Sequence, residues 1–172
     1  MHHVWTIGRH RQTRATCISG LRPQRGLYTE EPHAYNIYDG SKGAEIRGTH
    51  LVASVSDPVE LCLVETKGSN GINRIRGAIT IDASLELSIE EWQNSEELHC
   101  MSPATIAKYL ENREKARICK WNRSTTGLPY VHKPFRPHAW MICNVTVYAR
   151  PMFHRHKRGQ QVIVKLQLVY VI

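Results

Sequence analysis

No aspartate or glutamate occurs before Glu30 or after Glu114 in this chain of 172 residues. The first 29 residues carry five arginines, and the stretch after Glu114 carries eleven lysines and arginines. All fifteen acids lie between, against seven bases. The net charge of +8 is therefore segregated into two basic ends around an acidic middle. If the ends meet in the fold, they make one positive face, which attracts polyanions in a salt-dependent way. The alternative is a solvated basic surface with no specific partner.

Other absences narrow the class further. The five cysteines, Cys17, Cys62, Cys100, Cys119 and Cys143, include no C-x-x-C pair. An odd count without paired spacing argues against a disulfide framework and a structural zinc site, and points to reduced thiols. No window approaches the roughly 18 consecutive apolar residues of a membrane helix. Met1 to Arg14 has no apolar core long enough for a secretory signal. A cytoplasmic protein with no membrane partner is the expectation. There are no internal repeats and no low-complexity tracts, and the length suits one domain. No cofactor is expected.

Residues 1–14 are polar and lack periodicity, so they read as a basic N-terminal arm, with one domain over 15–172. Strands are expected near 16–21, 50–55, 59–65, 77–87, 139–149 and 161–170. The clearest runs from Ile79 to Leu87, where Ile79, Ile81, Ala83, Leu85 and Leu87 alternate with polar residues, the period of a half-buried strand. Helices are expected near 32–39, 89–98 and 103–117. Pro32 and Gly40 bracket the first, with Ala34, Ile37 and Tyr38 facing inward. Ser88 and Glu91 form a capping box for the second. Ser102-Pro103 starts the third. A long basic loop region is expected from Lys115 to His138. Strands at both ends with helices between them indicate an α+β domain.

The order of motifs resembles the ASCH branch of the PUA-like superfamily. Cys17-Ile-Ser-Gly-Leu-Arg-Pro-Gln leads into Ile37-Tyr-Asp-Gly-Ser-Lys42-Gly-Ala-Glu45-Ile-Arg47, which is similar to the opening strand, helix and G-x-K-x-x-E-x-R segment of that family. His50-Leu-Val-Ala-Ser, Arg76-Gly-Ala-Ile-Thr-Ile-Asp and His138-Ala-Trp140-Met-Ile-Cys-Asn-Val resemble its later strands. Tyr148-Ala-Arg-Pro151 through Lys157-Arg-Gly159-Gln-Gln-Val resembles its closing P-x(n)-K-x-G-x-Q segment. The resemblance spans residues 15–168. It implies a PUA-like curved β-barrel of about five to seven strands with short flanking helices. The family's cleft is associated with RNA, DNA or modified nucleosides.

On a strand, Glu45 and Arg47 share a face, with Lys42 near the turn and free to reach into a cleft. Arginine offers a planar fork, lysine a point charge, and glutamate an acceptor for an exocyclic amine. Lys42, Glu45 and Arg47 are therefore expected to line one pocket and bind a ligand, with Lys42 and Arg47 outside the apolar core and His99 or Trp121 at the rim. Without the resemblance they read as a surface ion pair worth under about 1 kcal/mol. Trp121, flanked by Lys120 and Arg123, is a candidate for base stacking. Arg155, Lys157 and Arg158 are candidate phosphate contacts. His154-x-His156 places two rings on one strand face, but no third ligand stands at a defined spacing, so no metal is expected.

The expected partners are RNA, another single-stranded nucleic acid, or a modified nucleoside. The alternative is a hydrolase acting on RNA or on a modified nucleoside. The resemblance includes acetylcytidine amidohydrolases, which implies Lys42, Glu45 and His99 as catalytic candidates. Glu45 stands where that subgroup has a threonine, which weakens the hydrolytic reading.

Overall fold

The computed structural model describes residues 11–15, 25–30, 32–66, 72–122, 135–155, 163–166 and 168–169. Among the described residues, eight strands form one curled, mixed sheet. They are β1 (Arg11–Ala15), β2 (Arg25–Thr29), β3 (Ala44–Arg47), β4 (Val59–Glu65), β5 (Ile72–Glu86), β6 (His138–Arg155), β7 (Ile163–Lys165) and β8 (Leu168–Val169). The main path runs β1-β6-β5-β4-β2-β7, and β3 and β8 also pair with β6. The helices among the described residues are α1 (His33–Tyr38), α2 (Ile89–Gln93), α3 (Glu96–His99) and α4 (Pro103–Asn122). This is an α+β fold with a half-barrel sheet and mostly short helices. None of the helices in the described residues is long and apolar enough to cross a membrane.

The spine is β5 against β6, two long antiparallel strands. β4 lies beside β5, and all five residues from Leu61 to Glu65 are buried. Burial of successive residues means that both faces of β4 are covered. Leu61 and Leu63 join Leu27, Ile37, Ile79, Ile81 and Trp140 on one side. Cys62 and Val64 join Ile75, Ala78 and Tyr148 on the other.

Ile75 and Ile79 are four residues apart on β5, yet they belong to different clusters. In a regular strand they would share a face. The register with β6 shifts between Ile75 and Gly77, and this bulge reverses the inward side while bending the sheet. Gly77 is required there, because a Cβ would run into the carbonyl oxygen of Thr146 on β6.

Local signals explain the ends of the helices. Ser88 Oγ accepts from the Glu91 amide at 3.1 Å, and the Glu91 carboxylate accepts from the Ser88 amide at 2.7 Å. The capping box is thus complete, and it sets α2 so that Trp92 is buried. Ala34 and Ile37 are the buried face of α1, with Tyr38 packed beside them. Gly40 takes a left-handed conformation, φ 84°, just past the helix. α4 starts at Pro103 and runs to Asn122, five residues beyond the expected end.

Three expectations are corrected. Residues 50–55 form no strand. Leu51 and Ala53 do pack against the core, but the Leu51 amide donates to Ser84 Oγ at 3.1 Å, and Ser54 and Asp57 close a turn. Apolar alternation here reports packing without a ladder. Second, Arg11–Arg14 close the segment expected as an arm, yet with Ala15 they pair in parallel with Asn144–Tyr148 of β6. Third, the second helix is two short helices, because the chain turns at Asn94 and Ser95. The strand expected at 16–21 lies outside the described residues.

Candidate functional site

The path to the site begins at the end of α1. The Lys42 amide donates to the Asn36 carbonyl at 2.8 Å, and the Gly43 amide to the Leu98 carbonyl at 2.8 Å. These bonds lead the chain into β3, where Glu45 pairs with Trp140 and Arg47 with His138 of β6. Lys42 Nζ lies 2.6 Å from Glu45 Oε2, and Arg47 Nη2 lies 2.6 Å from Glu45 Oε1. Glu45 and Arg47 share a face, as the strand period requires.

Lys42 does not stand free at a mouth. It is 2% exposed, and Glu45 is 6% exposed. This corrects the expectation that Lys42 lies outside the core. The physical reason is its partner: a buried ammonium is tolerated when a carboxylate neutralises it. Each Glu45 oxygen lies against a cation, and Oε2 has no hydrogen-bond partner among the described residues. Its work is to keep Lys42 and Arg47 in place. Arg47 Nη2 additionally donates to the Tyr28 carbonyl at 2.7 Å.

Lys42, Glu45 and Arg47 line one cleft of about 730 Å³. On the same side are Thr29, Glu30, His33 and Thr66. Thr29 ends β2 and Thr66 follows β4, and the Thr66 amide donates to the Thr29 carbonyl at 3.2 Å. The remaining lining includes Trp92 from α2, Tyr109 and Arg113 from α4, and Phe135 before β6. Trp92 meets Tyr109 edge-on at 5.7 Å and Phe135 at 5.8 Å between ring centroids. The Arg113 guanidinium lies 4.2 Å over the Phe135 ring, and its Nη1 donates to Tyr109 Oη at 3.2 Å. Tyr109 and Arg113 are four apart on a helix, so they share a face.

Several buried polar atoms in this lining have no hydrogen-bond partner among the described residues. They are Thr29 Oγ1, His33 Nδ1, Glu45 Oε2, Arg47 Nε, Thr66 Oγ1 and Trp92 Nε1. Thr29 is 3% exposed and Trp92 is 1% exposed. Buried polar groups are paired in the great majority of cases. Six such atoms belong to residues that line this one cleft. Burial, reinforced by the nearby Lys42 charge, holds the His33 imidazole below its usual range, which keeps it neutral near pH 7.

His99 is fully buried and is not part of the cleft lining. One ring nitrogen, Nε2, is 2.8 Å from the Trp92 carbonyl, and Nδ1 accepts the Met101 amide at 3.1 Å. These partners fix a neutral tautomer with the proton on Nε2. Burial also lowers its pKa. With both nitrogens committed, His99 supports Trp92 rather than standing at the rim. Trp121 falls in the last turn of α4 and Arg155 ends β6; their side chains, together with Lys157 and Arg158, lie outside the described residues.

Sequence reasoning missed His33, Thr29, Thr66 and Trp92. The usable signals were modest. Tyr109 and Arg113 show helical spacing on a helix whose described side chains are mostly exposed, and Trp92 follows directly after the capping box.

No family model matches the chain, and no curated protein matches it. Among solved structures, the chain is similar to ASCH from Zymomonas mobilis, with a TM-score of 0.49 and 11% identity, over 85% of this chain and 89% of that one.

Proposed function

We propose that this domain binds a nucleobase-bearing ligand, a nucleotide of single-stranded RNA or a modified nucleoside, in the cleft between β3 and the Trp92–Tyr109–Phe135 cluster. One observation carries the reading. An aromatic cluster topped by a guanidinium lines the same cleft as residues that carry buried, unpartnered hydrogen-bonding atoms. A base needs both: a surface for its ring and polar groups for its edge. The volume of about 730 Å³ falls within the ordinary range for small-ligand sites.

Charge supports the same ligand class. Lys42, Arg47 and Arg113 outnumber Glu45 and Glu30 in the lining, which favours an anion. Binding is preferred over hydrolysis because Lys42 and Glu45 are paired with each other, and His99 is tied by both nitrogens. The basic ends of the chain add sequence-independent attraction for a longer strand.

The test is titration with the four 5′-ribonucleotides and with ribose 5-phosphate, followed by calorimetry. The nucleotides are expected to bind, and ribose 5-phosphate to bind far more weakly. Phe135→Ala and Arg113→Ala should each weaken nucleotide binding by about 5- to 150-fold, the equivalent of losing one stacking contact. Nucleotides binding no better than ribose 5-phosphate would overturn the reading.

A further inference from the structure

We infer that Arg74 and Arg76, gripped by the buried carboxylate of Glu65, form a second anion site beside the cleft, one that takes backbone phosphates of a single-stranded nucleic acid. The inference goes beyond the base reading, because it stands whether or not a base fills the cleft. Glu65 is 1% exposed. Its Oε1 lies 3.1 Å from Arg76 Nε and its Oε2 3.5 Å from Arg74 Nε. Glu65 Oε2, like Glu45 Oε2, has no hydrogen-bond partner among the described residues, so the Arg74 contact is one of charge. Neither arginine pairs with another carboxylate among the described residues. One negative charge is thus shared by two positive ones. Each guanidinium carries about five N–H donors and a carboxylate about four acceptor sites, so donors remain in excess. The Arg74 and Arg76 side chains are 35% and 41% exposed, which leaves that excess within reach of a ligand.

The strand register places the pair. Glu65 on β4 stands opposite Arg74 of β5 on one side and Thr29 of β2 on the other. Thr29 and Thr66, the residue after Glu65, both line the cleft. Two strand spacings, roughly 10 Å, separate the backbone of Thr29 from that of Arg74. Arg76 is the extra residue of the bulge: Ile75 pairs with Val64 and Gly77 with Leu63, so no residue of β4 stands opposite it. A bulge re-aims a side chain. Here Arg76 Nε comes closer to Glu65 than Arg74 Nε does, although Arg74 is the direct cross-strand partner. On β6, residues 148–151 fall between the partners of Ile75 and Gly77. Exposed Arg150 belongs to that excursion and adds a third cation to the same stretch of sheet.

One cation suffices to neutralise a buried carboxylate. The second arginine adds charge that Glu65 does not need. Glu45 holds Lys42 and Arg47 in the same way. Arg47 bonds the Tyr28 carbonyl on β2, and β4 lies between β2 and the Arg74–Arg76 pair on β5. Two cation pairs one strand apart suit a polyanion that repeats its charge, which can bridge them, whereas a small ion occupies only one. Phosphate matches the pair because its oxygens accept from the planar fork of arginine.

The test titrates a mixed-sequence hexaribonucleotide, the four ribonucleosides and pyrophosphate separately into the full chain by calorimetry. The proteins are wild type, Arg74→Gln, Arg76→Gln and the double variant, each checked by its melt. Between about 50 and 200 mM salt, the double variant should bind the hexanucleotide at least about tenfold more weakly at the low end, with a log–log salt slope shallower by about 0.7 per phosphate lost. Nucleoside binding should be unchanged. Arg74→Lys with Arg76→Lys should keep the slope and recover only part of the affinity, because the charge stays and the fork is lost. If the double variant does not fold, adding Glu65→Gln removes the stranded carboxylate, and the single variants, which leave Glu65 one cation, must each show part of the effect. Unchanged hexanucleotide affinity and slope in folded variants would overturn the inference and leave the base site untouched, and a wild type that binds no hexanucleotide would overturn it as well. Nucleosides that fail to bind, with hexanucleotide binding still dependent on Arg74 and Arg76, would remove the base reading and leave this one standing. Pyrophosphate binding as tightly as the hexanucleotide, and lost in the double variant, would overturn the strand in favour of a small phosphate.

Discussion

Replacing Glu45 with alanine removes the shared partner of two cations, one of them almost wholly buried. Lys42 is 2% exposed and Glu45 6% exposed, so solvent screens the pair little. Breaking a buried ion pair by deleting one member costs about 3–5 kcal/mol, because a buried charge is left uncompensated. For a chain of this size each kcal/mol moves the melting temperature by about 2–4 °C, so Glu45→Ala should lower it by about 6–20 °C. Lys42→Met in the same chain should recover most of that loss, since the uncompensated ammonium is gone. Arg47 keeps its bond to the Tyr28 carbonyl and is partly exposed, so it contributes less to the deficit. The assay is a double-mutant cycle by thermal melting and urea titration of wild type, Glu45→Ala, Lys42→Met and the pair. A Glu45→Ala melt within about 3 °C of wild type, together with strictly additive variants, would refute the reasoning and return the triplet to an ordinary surface pair worth under about 1 kcal/mol.

Other outcomes follow from the same geometry. Gly77→Ala should destabilise by about 1–3 kcal/mol or more in a urea melt, because the new methyl meets the Thr146 carbonyl on the neighbouring strand rather than a movable side chain. His33 and His99 both have imidazole pKa values below the usual 6.5, mainly through burial. The unfolded chain takes up protons there from about pH 6.5 downward while the folded chain resists, so stability should fall as pH drops from about 6.5 through the folded pKa values. Urea midpoints that are unchanged between pH 7.5 and pH 5.5 would contradict this. Binding of single-stranded RNA should weaken steeply with salt, with a log–log slope that reports the number of phosphates neutralised, and a flat salt response would show that the basic ends take no part.

The strand at Ile79 was legible because one face is apolar and the other polar, and the capping box at Ser88 because its two residues act locally. The stop at Gly40 was legible for the same reason. What sequence could not show depends on distant partners. Leu51 and Ala53 alternate like a strand, yet a serine side chain replaces the ladder. The reversal at Ile75 is set by a bulge against β6. Lys42 looks like a surface residue until Glu45 is placed beside it. Trp92, Tyr109 and Phe135 come from three separate segments, and only the fold brings their rings within 6 Å. His99 looked like a catalytic histidine by residue type, and its two hydrogen bonds give it a supporting role.

The most direct test reads the indole N–H of Trp92 in a nitrogen–proton correlation spectrum, assigned by its loss in Trp92→Phe, during addition of uridine 5′-monophosphate. Trp92 Nε1–H has no protein partner among the described residues, whereas Trp140 Nε1–H already donates to the Thr49 carbonyl. The account predicts a saturable shift of the Trp92 signal that is larger than any shift of Trp140. A Trp92 signal that stays in place while the folded protein is exposed to millimolar nucleotide (a range in which even weak complexes form) would contradict it.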